Sequence, residues 1–336
     1  MRLFFLASDN PKPSGGLAFI YRFCELAVEL GHDAFVMHGE LGFRSPHIDS
    51  PAPVAFNSGW KQRSRRDALR ARVRGALLRL GGSATETEPG PGDIVILPEN
   101  RIFRTGDLWP GVRKLILCQN GFLAERQRDA LQTQDVLGAI SVSAATLATM
   151  RELMPDRPTW HVPLWLDRGL FHSPAGPREP VLLHMPRKNP GDAERLAGLL
   201  RERGVLERHR LRALDGLPLP AVAAAMRESL VFLSFADREG FGLPGAEAIA
   251  CGCLTVGYTG GGGDEYFGRF GGHPVPPGDV GAFADAVAST IERHGDDPEA
   301  VEAERVLHSE RILAHYGRDR SKGALNAALD AALGSA

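Results

Sequence analysis

The densest chemistry in this chain lies between Arg238 and Glu265. Two carboxylates, Glu239 and Glu247, flank the turn Gly240-Phe-Gly-Leu-Pro-Gly245. The turn reads as running into a helix that begins near Pro244, because proline is favoured at the first helical position. A second glycine loop, Gly260 to Gly263, follows and closes on Asp264 and Glu265. A helix start offers free backbone N–H groups and the positive end of a dipole to phosphate. Glycine lets the main chain approach a ligand without a Cβ in the way. Carboxylates accept hydrogen bonds from sugar hydroxyls. Together these residues suit a sugar joined through a diphosphate to a nucleoside. Phe241, Gly242 and Leu243 are the expected source of the N–H groups; the structural alternative is a tight turn and nothing more.

The elements that must carry these residues are legible as alternating short apolar runs and helical patterns, which favour parallel α/β sheets. Strands are predicted at 3–7, 34–37, 94–97, 115–118 and 139–142, with helices at 17–30 and 144–153. Six prolines between 155 and 180 place an interdomain linker there. The pattern then restarts. Strands are predicted at 181–184, 209–214, 230–233 and 254–257, and helices at 192–203, 220–227, 280–294, 298–315 and 321–333. This gives an N-terminal domain of 1–165, a second domain of 166–310 and a closing helical segment of 311–336. Two such halves imply a cleft, with ligands at the carboxyl ends of the strands.

Composition narrows the class. A length of 336 residues suggests two domains. A hydrophobic content of 43% with 24% charged residues is ordinary for a globular protein, and a net charge of −2 gives no reason to expect nucleic acid. No run approaches the ~20 apolar residues that span a bilayer. The N-terminus lacks the apolar core and cleavage site of a signal peptide. Four cysteines, without metal-ligand spacing, read as free thiols in a reducing cytoplasm. Eleven histidines show no His-x3-His spacing, so no metal is expected.

The segment Glu239-Gly-Phe-Gly-Leu-Pro-Gly-Ala-Glu247-Ala, followed by Gly-Gly-x-x-Glu at 261–265, resembles the retaining GT-B glycosyltransferases of family 4. Gly15-Gly16 ahead of the first helix and the basic pair Arg187-Lys188 add to the likeness, which runs from residue 1 to about 295. The resemblance implies two Rossmann-like, doubly wound parallel-sheet domains facing an interdomain cleft. It implies a nucleoside-diphosphate sugar held mainly by the second domain and an acceptor held mainly by the first. The acceptor would be a glycan, a lipid or a small molecule, as in bacterial glycan biosynthesis. Transfer is expected to keep the anomeric configuration and to need no metal or other cofactor, with UDP or GDP as the nucleotide. The last helix would cross back to the first domain.

The resemblance also assigns roles. Glu247 would bond the ribose hydroxyls and Glu239 the transferred sugar. Arg187 and Lys188 would neutralise the departing diphosphate, although family members carry these two basic residues several positions apart. Adjacent residues leaving a strand point to opposite sides, so one of the two is expected to miss the ligand. Gly15 and Gly16 would allow close approach of donor phosphate or acceptor, or simply turn a strand into a helix. Gln119-Asn120 falls where many family members have a histidine near the reacting sugar; it would bond the sugar or cap the following turn. Glu99-Asn100 is a comparable candidate for acceptor contact.

The segment from Lys61 to Leu80 is basic and amphipathic, with Leu69, Val73, Ala76, Leu77 and Leu80 on one face and Arg63, Arg66, Arg70 and Arg74 on another. It would pack over the first domain, touch an anionic membrane surface from the cytoplasmic side, or hold an anionic acceptor. Rival functions are a sugar-nucleotide epimerase or phosphorylase, a sugar-nucleotide-binding pseudoenzyme, and an NAD(P)-dependent oxidoreductase. The last arises because Gly240 to Gly245 formally fits G-x-G-x-x-G, with Asp264 about 20 residues on. Against it stand the motif's late position, an acid that follows a four-glycine loop, and the expectation that Ala236-Asp-Arg-Glu239 separates the strand from the first glycine.

Overall fold

The computed structural model describes residues 1–60, 86–104, 109–132 and 136–334. The segment from Lys61 to Leu80 lies outside the described residues. The chain divides into two compact units. One comprises 1–142, 146–162 and 322–336; the other comprises 143–145 and 163–321.

The first unit is built on strands β1 (Arg2–Ala7), β2 (Asp33–His38), β3 (Val54–Phe56), β4 (Ile94–Pro98), β5 (Arg113–Cys118), β6 (Val136–Ser141) and β7 (Thr159–His161). Its helices include α1 (Gly15–Glu29), α2 (Gly121–Glu125) and most of α3 (Ala144–Leu153). All seven strands are parallel, in the order β3-β2-β1-β4-β5-β6-β7. The central strands read as unbroken apolar runs because helices cover both faces. Every residue of β4 is buried. A buried cluster around Phe4, Val95, Leu97, Ile116 and Met150 forms part of the core. Each fully buried side chain of this size contributes roughly 1.5–3 kcal/mol.

The second unit repeats the scheme with β8 (Glu179–His184), α4 (Pro190–Glu202), α5 (Val205–Arg208), β9 (Arg210–Ala213), α6 (Leu219–Glu228), β10 (Ser229–Glu239), α7 (Leu243–Ala250), β11 (Leu254–Gly261), β12 (His273–Pro274), α8 (Val280–Asp296) and α9 (Pro298–His315). Its five parallel strands run β12-β11-β10-β8-β9. The chain ends in α10 (Arg318–Gly334), whose residues from Lys322 on belong to the first unit; there Lys322 pairs with Glu29 at 3.1 Å.

In both sheets the chain starts in the middle, winds to one edge, then returns to build the other side. The reversal falls between β1 and β4 in the first sheet and between β8 and β10 in the second. Such switch points leave a crevice at the carboxyl ends of the two strands, where ligands of open α/β sheets bind.

Three strands escape the sequence pattern: β3, β7 and β12 have three, three and two residues. β7 lies inside the proline-rich stretch expected to be a linker. Pro158 directly precedes it and it pairs at the sheet edge, a position that tolerates proline. β10 is longer than the apolar run at 230–233, and reaches Glu239.

Candidate functional site

The site residues of the second unit gather at its switch point. Arg187 and Lys188 lie in the turn after β8, and Glu239 ends β10. Lys188 Nζ stands 2.6 Å from Glu239 Oε1, with half of the lysine side chain and 23% of the glutamate exposed. Arg187 instead faces Asp215 at 3.7 Å, and both side chains are well exposed. The adjacent basic residues thus address different partners, and only Lys188 stands at the carboxylate.

Glu239 was expected in a loop; it is the last residue of β10, opposite Gly261 of β11. A register shift between Ala236 and Glu239 and a left-handed Arg238 (φ 46°) redirect the strand just before it. A non-glycine residue at positive φ costs on the order of 1–3 kcal/mol and tends to occur at functional sites. Because the strand runs to Glu239, Gly240 follows it at once. One of the three arguments against a dinucleotide fingerprint therefore falls. The motif's late position and the placing of Asp264 remain; Asp264 sits in a short 3-10 turn and accepts a hydrogen bond from Thr259 at 2.5 Å.

α7 starts at Gly242, whose φ of 81° suits glycine, and no side chain caps it. The helices α8 and α9, by contrast, start under Asp279 and Asp297. An uncapped start leaves its N–H groups for a ligand. Leu243 is its first residue. Phe241 is 3% exposed, its ring packed on Tyr266 and Tyr316 at 5.3 and 5.0 Å, so its side chain is part of the packing under the turn. Tyr266 Oη donates to the Gly242 carbonyl at 2.5 Å. Glu247 lies in α7 and is 9% exposed. Behind the turn, Glu265 accepts from Tyr316 Oη at 2.7 Å and from the Ala144 N–H at 2.7 Å.

Sequence reasoning missed Asn189. It sits in the left-handed region (φ 42°) where α4 begins, and its Nδ2 donates to the Phe235 carbonyl at 3.1 Å. It thereby fastens the turn carrying Lys188 to the strand carrying Glu239. The available signal was Asn before Pro-Gly, since asparagine tolerates this conformation better than other side chains.

The first unit gathers its own set at its switch point. Gly15 and Gly16 open α1 after β1, with Ser14 capping the helix through Leu17 N at 3.4 Å. A Cβ on Gly16 would lie 3.3 Å from Gln119 Oε1, so the amide of Gln119 packs against the glycine turn. Glu99, at the end of β4 and 4% exposed, accepts the Gln119 N–H at 3.0 Å. Gly16, Glu99 and Gln119 are therefore brought together. Asn120 caps α2 through Leu123 N at 3.4 Å, the structural one of its two expected roles. Asn100 is exposed in the turn after Glu99. A further group went unrecognised: Asp9 Oδ1 stands 3.1 Å from His38 Nδ1 and accepts the Gly39 N–H at 3.1 Å, while His38 Nε2 is 2.6 Å from Tyr21 Oη. It ties the end of β2 to the loop leading to the glycine turn. Tyr21 lies buried within α1.

Burial lifts the Glu99 carboxyl to about 7, only partly opposed by its backbone hydrogen bonds. A carboxyl whose folded value is raised penalises the native state as it ionises. The penalty is absent below about pH 4.5 and complete above about pH 7. Glu99→Gln should therefore raise Tm at pH 8, by a margin that shrinks toward pH 5; the upper bound is roughly 3 kcal/mol. Thermal denaturation across that range checks it, and a margin that grows on acidification would refute it.

Comparison with known proteins bears on the fold. The solved structure of sucrose-phosphate synthase from Thermosynechococcus elongatus matches with a TM-score of 0.64 at 14% identity, over 100% of both chains. Anabaena HepE in complex with UDP-glucose matches with 0.65 at 14% identity, over 98% of this chain and 100% of that one. The fold is GT-B. Residues 193–305, which include Glu239 and Glu247, match the family described as Glycosyl transferases group 1. An alpha-1,6-glucosyltransferase of Actinobacillus pleuropneumoniae serotype 7 (strain AP76) is 45% identical over 47 residues; the match spans only 14% of this chain and 14% of that relative. The structural matches show the fold, and the family likeness extends over residues 193–305. No helix among the described residues is long and apolar enough to cross a membrane.

Proposed function

We propose that this chain is a retaining, metal-independent glycosyltransferase of family 4, moving a sugar from a nucleoside diphosphate to an acceptor hydroxyl. The observation that carries the reading is the Lys188–Glu239 pair at a sheet switch point, beside the uncapped glycine start of α7. In the reaction the bond between the anomeric carbon and the diphosphate oxygen breaks. A bond from the acceptor oxygen to that carbon forms, and the hydroxyl proton leaves with the diphosphate. Lys188 and the N–H groups at Gly242 and Leu243 take up the charge developing on the leaving group. Glu239 orients the sugar through its hydroxyls and Glu247 holds the ribose. Gly16, Glu99 and Gln119 of the first unit receive the acceptor, which is a glycan, a lipid-linked sugar or a small molecule.

UDP is favoured as the nucleotide, with GDP second, because HepE was solved with UDP, with UDP and glucose, and with UDP-glucose. A cytoplasmic location with peripheral membrane contact through residues 61–80 belongs to the same reading. The deciding experiment is a panel of UDP- and GDP-sugars, scored by acceptor-free hydrolysis and by the rise in Tm that a ligand of the folded state produces. One class should be hydrolysed and should raise Tm. A rise with NAD(P) and none with any sugar nucleotide would end the reading. In the same assay Glu247→Ala should lower hydrolysis on the order of 10²-fold.

A further inference from the structure

At the end of the first sheet away from its own Gly15-Gly16 turn, Val136 opens β6 near residues 156–158, which lead into β7; β7 itself pairs farther along, Thr159 with Ala139. Val136, Asp156, Arg157, Pro158, Trp160 and Ala332 line a cavity there of about 480 Å³. That volume falls within the roughly 300–1,000 Å³ of small-ligand sites. Trp160 is half-buried, and its indole is seated on the main chain of β6. A Cβ added at Gly138 would lie 2.8 Å from Cζ3 and 3.0 Å from Cη2 of that ring, and 2.4 Å from the Pro158 carbonyl oxygen. Glycine in a strand interior weakens the strand and marks a close approach; here the approach is that of the indole. The Cζ3–Cη2 edge of the ring thus lies close against the β6 backbone.

We propose that this cavity is a second carbohydrate site, which takes an oligosaccharide chain on Trp160. The C–H face of a sugar packs on an aromatic ring, while its hydroxyls need acceptors and donors at the edge. Asp156 supplies a carboxylate and Arg157 a guanidinium. One charge of each sign favours an uncharged polar ligand over a phosphate, and two charged groups at the rim disfavour a lipid tail. Because the strands are parallel, this cavity lies at their amino ends, whereas Gly16, Glu99 and Gln119 lie at carboxyl ends. A strand advances about 3.3 Å per residue, so a ligand here does not compete with one at the glycine turn. The choice of ligand follows from the acceptor class proposed above, but binding itself requires no transfer.

The test is calorimetric titration of the full chain with maltohexaose and with chitohexaose. At least one should bind. Trp160→Ala should weaken that binding about tenfold or more and Asp156→Asn about threefold, while Trp160→Phe retains it within about threefold. Acceptor-free sugar-nucleotide hydrolysis should be unchanged in all three. If Trp160→Ala fails to fold, Trp160→Leu against Trp160→Phe makes the same comparison. Binding by neither hexaose, or equal binding by every variant, overturns the proposal. Either result leaves the hydrolysis panel standing, so the two readings fail separately.

Discussion

Glu239→Gln is expected to lower sugar transfer on the order of 10²-fold or more and, in the same protein, to tighten binding of the free nucleoside diphosphate. The opposite signs follow from the Lys188–Glu239 pair. Without donor, the ammonium is engaged by the carboxylate at 2.6 Å. A diphosphate must compete for it. Removing the carboxylate charge releases Lys188 to the phosphate, and a partly exposed pair of this kind is worth only about 0.5–1 kcal/mol, or two- to fivefold in Kd. The transferred sugar, however, exchanges a charged two-oxygen acceptor for a neutral carbonyl and an NH2 donor, and with that loses the orientation of the anomeric carbon. Calorimetric binding of UDP or GDP beside kcat/KM for transfer reads both quantities. A merely structural Glu239 would weaken both together. Near-normal turnover, or weaker diphosphate binding, would refute the assignment.

That pair marks how far the sequence carries. Buried strands such as β4 and β5 were legible because both faces are apolar. The helix at 298–315 was legible because Asp297 and Pro298 start it. The far end of β10 was not, since Asp237, Arg238 and Glu239 run beyond the core and carry charge where periodicity looks for apolar side chains. Glu239 could be singled out by its place among glycines, but its bonding to Lys188 rather than Arg187 depends on how the turn after β8 is aimed. Asn189 sets that aim through a left-handed backbone and a bond to β10, neither of which has a period. Likewise Gln119 and Glu99 were chosen separately as strand ends. Their direct hydrogen bond follows from β4 and β5 being neighbours, a property of strand order rather than of local pattern.

Gly262→Ala is expected to reduce kcat/KM on the order of 10²-fold, whereas Gly261→Ala mainly lowers Tm. The contrast isolates what each glycine is for. A Cβ on Gly262 would lie 2.5 Å from both the Gly240 carbonyl carbon and the Phe241 nitrogen, and 2.7 Å from the Gly240 oxygen. All three atoms are backbone, so no side chain can turn aside. The peptide that must yield leads directly into Gly242 and the start of α7. A displacement of about 1 Å at a positioning element can cost 10²-fold. Gly261 has open space around its missing Cβ but a φ of 82°. Alanine there is strained by about 1–2 kcal/mol without pushing on the phosphate-facing turn. Thermal denaturation and transfer kinetics on the two variants separate the effects. Full activity in Gly262→Ala together with a collapse in Gly261→Ala would show that the two glycine loops do not brace each other at this contact.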